Sequence, residues 1–137
     1  MLPAIRVARC GDLPAVLALW QLAQAEPSHT DSLDSLGQLI AHDPGALLVA
    51  EAGGHIVGSV IAGWDGWRGT IYRLAVAPTH RRQGLARRLL AAAETRLASL
   101  GATRMQAIVV QTDSRATGFW RATPWTEQEE RLRFTGG

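Results

Sequence analysis

The run from Ile71 to Leu100 limits what this chain can fold into more than any other stretch: IYRLAVAP, then THRRQGLARR, then LLAAAETRLASL. The first part is apolar and rich in branched residues, so it reads as a strand, and Pro78 closes it because proline cannot donate to a sheet ladder. A short arginine-rich turn with one glycine, Gly84, follows. An amphipathic helix then begins at once, with Leu85, Leu89, Ala93 and Leu97 forming a stripe that Ala86, Leu90 and Leu100 widen. Gly101 is its C-cap candidate. A strand that enters a helix through such a turn gathers backbone N–H groups into a seat for phosphate. Gly84 has no side chain to keep a phosphate away from the backbone. The N–H groups from about Arg82 to Arg87 then face one concavity, where the helix dipole adds roughly half a positive charge. Arg81, Arg82, Arg87 and Arg88 add side-chain charge. The natural ligand is a pyrophosphate. Arg88 and Arg96 are read as plain solvated residues.

Bulk properties narrow the setting. The 137 residues suit one domain over 1–137 with one core. Hydrophobic residues make up 47% and charged residues 19%, which excludes a disordered chain. No apolar run approaches the ~20 residues that span a bilayer, so no membrane partner is expected. Arg6 and Arg9 interrupt the stretch where a secretory leader carries its apolar core, which argues against secretion. Cys10 is the only cysteine, so no disulfide forms within the chain and a cytoplasmic setting is the default. A net charge of +2 gives no argument for a nucleic-acid partner. All 14 basic residues are arginine, and neither lysine nor asparagine occurs. Biased base composition explains this better than selection for bidentate anion contacts. No metal is expected.

In chain order, Ala4 to Arg9 alternates as a short strand with Ile5 and Val7 on one face. Asp12 is the expected cap of a helix carrying Leu13, Val16, Leu17 and Trp20 and ending before Glu26-Pro27. A second helix carries Leu33, Leu36 and Ile40 and stops at His42-Asp43-Pro44-Gly45. Strands over Ala46–Ala52 and His55–Gly63 flank a Gly53-Gly54 hairpin turn, with Gly58 a bulge or close-approach point. Trp64 to Gly69 is a loop, and Thr70–Ala77 is the next strand. After the long helix come a strand over Met105–Val110 and a last helix from an Asp113 cap to Arg121. A final short strand is expected over Arg131–Phe134. The order β-α-α-β-β-β-α-β-α-β predicts a mixed α/β domain with a partly antiparallel central sheet.

Arg81-Arg82-Gln83-Gly84-Leu85-Ala86 has the form Arg-x-x-Gly-x-Ala, and Leu74-Ala75-Val76-Ala77-Pro78 ends in Val-x-Pro. In these motifs, and in element order from Ile5 to about Phe134, the chain resembles the GNAT (Gcn5-related N-acetyltransferase) family. The bare motif is weak, and an ordinary turn with a solvated arginine face is the plain alternative. Between a Val-x-Pro strand and a long helix the motif is specific. The resemblance implies acetyl-CoA as co-substrate, with its diphosphate on Arg81, Arg82, Gln83, Gly84, Leu85, Ala86 and Arg87. It implies a sheet splayed between the fourth and fifth strands, where the pantetheine arm pairs with the backbone of Leu74, Ala75 and Val76. The Val76 N–H would polarise the thioester carbonyl. The same strand also packs as core, and the two roles are compatible.

The pattern departs from the family at the last helix and on the fourth strand. Asp113 stands in place of Asn and still caps. Trp120 stands where the family has a tyrosine proposed as general acid, and an indole N–H is no acid near neutral pH. The thiolate then leaves aided by water or backbone dipoles, takes a proton from Ser114 or Thr117, or does not leave at all; the first is preferred. Trp120 is expected to pack against the core and the pantetheine arm. The fourth strand offers Tyr72 and Arg73 instead of a carboxylate base. Tyr72 is the best-placed polar group, able to order a water, while Glu51, Asp65 and His80 are other candidates. For the acceptor, Trp64 and Trp67 around Asp65 suggest an ammonium site, against the alternative that both rings fold onto the core. The expected activity is transfer of acetyl to a primary amine of a small molecule, amino acid or peptide N-terminus. A non-catalytic acyl-CoA-binding domain and a basic nucleic-acid-binding module are the alternatives. The family often forms dimers, but no stretch here identifies an interface.

Overall fold

The computed structural model describes residues 2–23, 25, 27–110 and 113–136. Its sheet is organised by a tight hairpin. Gly53 and Gly54 take φ of +58° and +81°, the left-handed pair that a two-residue turn between twisted strands requires. The turn joins β2 (Leu47–Ala52) to β3 (His55–Trp64) in antiparallel register. β1 (Ala4–Val7) pairs antiparallel with β2, and β4 (Gly69–Val76) with β3. β5 (Met105–Ala107) lies parallel to β4, completing the order β1-β2-β3-β4-β5. A parallel neighbour needs a crossover, and helix α3 (Leu85–Leu100) supplies it.

The helices cover both faces. A Cβ on Gly58 would lie 2.8 Å from Leu89, so that face of β3 carries α3 in close approach. The next residue, Ser59, is hydrogen-bonded to Trp20 of α1 (Leu13–Leu22), so by strand alternation α1 covers the opposite face. Helix α2 (Leu33–His42) is capped by Ser32, whose hydroxyl accepts from the Ser35 N–H at 3.1 Å. Helix α4 (Ser114–Arg121) follows β5. The centre of the core is Val16, Leu47, Val49, Val60, Leu89 and Leu97. The expected α3 stripe is buried except at Ala86, which is half-buried, and at its end, where Leu100 is exposed.

Four expectations are corrected. Asp12 does not cap α1; its carboxylate accepts from the Arg9 N–H at 2.7 Å and pairs with Arg6 at 2.8 Å, closing a short 3-10 turn instead. Arg96 is not solvated: it donates to the Ala62 carbonyl at 2.8 Å and pairs with Asp43, pinning the loop before β2 to α3. Arg88 donates to the Pro3 carbonyl at 2.8 Å and holds the chain ahead of β1. Arg131–Phe134 forms no strand; Leu132 and Phe134 are exposed, and alternation without a partner edge does not make a ladder. Among the described residues no helix is long and apolar enough to cross a membrane.

Candidate active site

β4 and β5 pair only at Gly69–Met105, Thr70–Gln106 and Ile71–Ala107. Beyond Ile71 the strands separate, and a cleft of about 540 Å³ opens between them. Its volume is that of a ligand pocket (~300–1,000 Å³). Leu74, Ala75 and Val76 form one wall; Ile108, Val109 and Val110, expected to continue the fifth strand, form the other.

The cause of the separation is a bulge. Ser59 pairs with Ala75 but Ile61 pairs with Tyr72, so Arg73 and Leu74 together oppose Val60. Arg73 takes φ of +52°, which for a residue with a Cβ costs about 1–2 kcal/mol. Past the bulge the pairing is regular. Ala77 donates its N–H to the Val57 carbonyl at 2.8 Å, so the N–H of Val76 points to the other edge, into the cleft.

The cleft runs to the basic turn. Arg82 has φ of +62°, and Gly84 takes φ of +77° as the residue before α3. A Cβ at Gly84 would meet nothing within 4 Å, so what glycine supplies there is the left-handed backbone rather than clearance from protein atoms. No side chain caps α3, and its first-turn N–H groups face the cleft mouth with the positive dipole end. Arg81, Arg82 and Arg87 reach the cleft, as does Arg115 of α4, which sequence spacing did not single out. Gln83 is exposed beside the cleft rather than in its wall, whereas Ala86 and Leu85 line it, Leu85 packing in the core as well. Arg81 is half-buried and donates to the Ala23 carbonyl at 3.3 Å. Burial first, then repulsion from Arg115, lowers its pKa, with Asp113 opposing. Asp113 is the only carboxylate lining the cleft among the described residues, and it is occupied as the α4 cap, accepting from the Ala116 N–H at 3.0 Å. Polyanion binding is what such a rim can do.

Trp120 borders the cleft and packs edge-on against Trp125, with ring centroids 4.9 Å apart, and Phe119 at 5.6 Å. Trp125 donates to Glu94 at 3.2 Å and so ties the end of α4 to α3. Trp120 thus packs against the core, as expected, and also lines the cleft.

The proton-transfer candidates are not brought together. Tyr72 is half exposed on the α1 face of the sheet, its ring over Gly63, and does not line the cleft. Glu51 is paired with Arg6 at 2.8 Å. Asp65 accepts from the N–H groups of Trp67 and Arg68 at 2.8 and 2.6 Å, bonds that lower its pKa. The face of Trp67 is covered by the Arg68 guanidinium at 4.1 Å, so the expected ammonium site around Asp65 is already filled from within the loop. His80 lines the cleft beside the basic turn, its Nδ1 2.8 Å from Thr79 Oγ1. Arg73 pairs with Asp31 at 2.7 and 2.8 Å, a contact no motif signalled, and ties the α1–α2 segment to the bulge.

Comparison with known proteins agrees with this geometry. The profile of the acetyltransferase (GNAT) family matches residues 13–123. An acetyltransferase of Pectobacterium atrosepticum is 34% identical over 116 residues, spanning 85% of this chain and 82% of its own length. The aminoglycoside 6'-N-acetyltransferase AAC(6')-IG of Acinetobacter haemolyticus has the same fold, with a TM-score of 0.78 at 21% identity over 98% of both chains. AAC(6')-Iy, solved with the bisubstrate analogue CoA-S-monomethyl-acetylneamine, gives 0.77 at 21% identity, covering 100% of this chain and 99% of that one. A profile match over most of the chain, joined to a sheet that parts beside an uncapped basic helix start, settles the assignment: this chain belongs to the GNAT family and is an N-acetyltransferase that uses acetyl-CoA.

Proposed function

We propose that the acceptor is a primary amine, on a small molecule, an amino acid or a peptide or protein N-terminus, and that it attacks acetyl-CoA directly while both are bound. The observation that supports this is the cleft between β4 and β5, which runs from an inward-facing N–H at Val76 to an uncapped, arginine-rimmed helix start. The diphosphate sits on the N–H groups from Gly84 to Arg87, with Arg81, Arg82, Gln83 and Arg87 around it. The pantetheine arm adds to the free edge of Leu74, Ala75 and Val76 as an extra strand, with Trp120 packed against it. The amine nitrogen attacks the thioester carbon, and the negative charge that grows on the carbonyl oxygen is met by the Val76 N–H. The C–S bond then breaks, CoA leaves as the thiolate, and the amine proton passes to water, which Tyr72 orders on the α1 face. A thiolate is a tolerable leaving group, so the absence of a phenol at Trp120 slows the step without abolishing it. The enzyme works in the cytoplasm as a single domain over 1–137, with neither nucleic acid nor membrane as partner.

One observation favours a second reading, an acyl-CoA-binding domain without turnover: Glu51, Asp65 and Asp31 are all engaged in ion pairs or turn hydrogen bonds. Thermal unfolding with and without acetyl-CoA, followed by thiol release in a mixture of primary amines, separates the two. Stabilisation with thiol release is the expected result. Stabilisation alone selects the second reading, and no stabilisation by any acyl-CoA overturns both.

A further inference from the structure

The bulge that parts β4 from β5 is held from outside its own strand. The carbonyl of Arg73 accepts a hydrogen bond from Ser59 Oγ at 2.8 Å, and Ser59 Oγ accepts one from Trp20 Nε1 at 2.8 Å. Ser59 is fully buried, and it is the only buried polar or charged side chain among the described residues. A hydroxyl survives in an apolar interior when both its proton and a lone pair are used, and here both are. The ring of Trp20 also faces the Arg73 guanidinium at 5.1 Å, and Asp31 grips that guanidinium. Helix α1, strand β3 and the α1–α2 segment therefore converge on one residue in a left-handed conformation that persists only where its surroundings over-determine it.

We propose that Trp20 and Ser59 are positioning residues for catalysis: the hydrogen-bond chain Trp20 Nε1–Ser59 Oγ–Arg73 O holds the β4 bulge and thereby aims the Val76 N–H at the thioester carbonyl. This rests on the acetyl-CoA reading of the cleft. The extra residue of the bulge sets which N–H groups of β4 face β3 and which face the cleft, and a slip of one residue reverses the assignment. Removing the Ser59 hydroxyl deletes the hydrogen bonds that hold the Arg73 carbonyl and the buried Trp20 N–H to β3, and pairing without the bulge becomes the better alternative. The diphosphate seat lies on the far side of Pro78 and is anchored by α3, so binding is affected less than polarisation of the carbonyl.

The test uses acetyl-CoA labelled with carbon-13 at the thioester carbonyl. Its stretching frequency is read by isotope-edited infrared spectroscopy when bound to wild type, Ser59→Ala, Trp20→Phe and the double variant, with dissociation constants and melting temperatures beside it. Wild type should lower the frequency relative to free acetyl-CoA. Ser59→Ala should lose about half or more of that displacement while the dissociation constant rises less than about threefold. Trp20→Phe keeps an aromatic ring and the Ser59 hydroxyl while removing the indole N–H and should lose a smaller part, and the double variant should lose no more than Ser59→Ala, because the two act in series. A folded Ser59→Ala protein with the full wild-type displacement overturns the inference, as does a double variant whose losses add. A merely structural role would lower the melting temperature and leave the frequency unmoved. Should Ser59→Ala not fold, Trp20→Phe decides alone, and an unmoved frequency there overturns the proposal. Wild type that binds without any displacement removes the role of Val76 and this inference with it, whereas wild type that does not bind removes the reading of the cleft itself.

Discussion

Gly84→Glu is the most direct test of the phosphate seat, with Gly84→Ala as its control. Gly84 has φ of +77° and no atom within 4 Å of where a Cβ would stand. Both variants therefore carry the left-handed penalty, about 1–2 kcal/mol, and no steric clash. At about 4 °C per kcal/mol for a chain of this size, each unliganded variant should melt roughly 4–8 °C below wild type. The charge appears only with ligand. A carboxylate ~4 Å from a phosphate oxygen adds about 1 kcal/mol of repulsion in water and about 4 kcal/mol where the effective dielectric constant is 20. An intermediate value weakens binding about a hundredfold. Acetyl-CoA at 100 times the wild-type dissociation constant stabilises wild type by about 2.7 kcal/mol, or about 11 °C. The same concentration equals the dissociation constant of Gly84→Glu, leaving about 0.4 kcal/mol, or about 2 °C. Differential scanning fluorimetry over an acetyl-CoA titration reads both quantities. If Gly84→Glu keeps the wild-type ligand shift, the turn is not where the diphosphate binds. If neither variant is destabilised without ligand, the left-handed conformation is not required.

Three further outcomes follow from the side-chain geometry. Arg88→Ala should leave acetyl-CoA affinity within about twofold of wild type, because Arg88 is held by the Pro3 carbonyl, whereas Arg87→Ala should weaken it about tenfold, as loss of a charge-assisted hydrogen bond does; calorimetric titration compares them. Arg96→Ala should cost about 2–3 kcal/mol in urea unfolding, since it strands the Ala62 carbonyl and Asp43 together, with no change in acetyl-CoA affinity per folded molecule. Asp12 is held at a pKa of about 2, chiefly by the Arg6 hydrogen bond, against an ordinary value of 3.8. The folded pKa is the lower one, so its contribution is fully present above about pH 4 and is lost as pH falls through 2. Asp12→Asn should therefore reduce stability at pH 6 and reduce it much less at pH 2, measured by thermal unfolding across that range.

Much of this protein was legible because its signals are local. The α3 stripe, the Gly53-Gly54 turn, the Val-x-Pro strand and the glycine before α3 each depend on the periodicity or backbone freedom of a few neighbouring residues. Those local rules also point to the proposed phosphate seat, because a helix start binds anions through its own backbone. Arginine roles were not legible: Arg88 and Arg96 differ from Arg87 only in what lies opposite them after folding, and their partners Pro3, Asp43 and Ala62 are distant in sequence. Likewise the run Met105–Val110 has uniform strand character, yet it pairs only to Ala107 because the β4 bulge removes its neighbour.

The sequence by itself determined the family and the order of elements from β1 to α4, and it points to the turn proposed to hold the diphosphate, since each follows from contiguous residues. Only the tertiary structure decided how far the sheet stays closed, where Arg73 bulges, and that Trp20 and Ser59 meet its carbonyl. Those features are contacts across three separate elements, and no spacing within one segment specifies a contact between segments that only packing brings within hydrogen-bond reach.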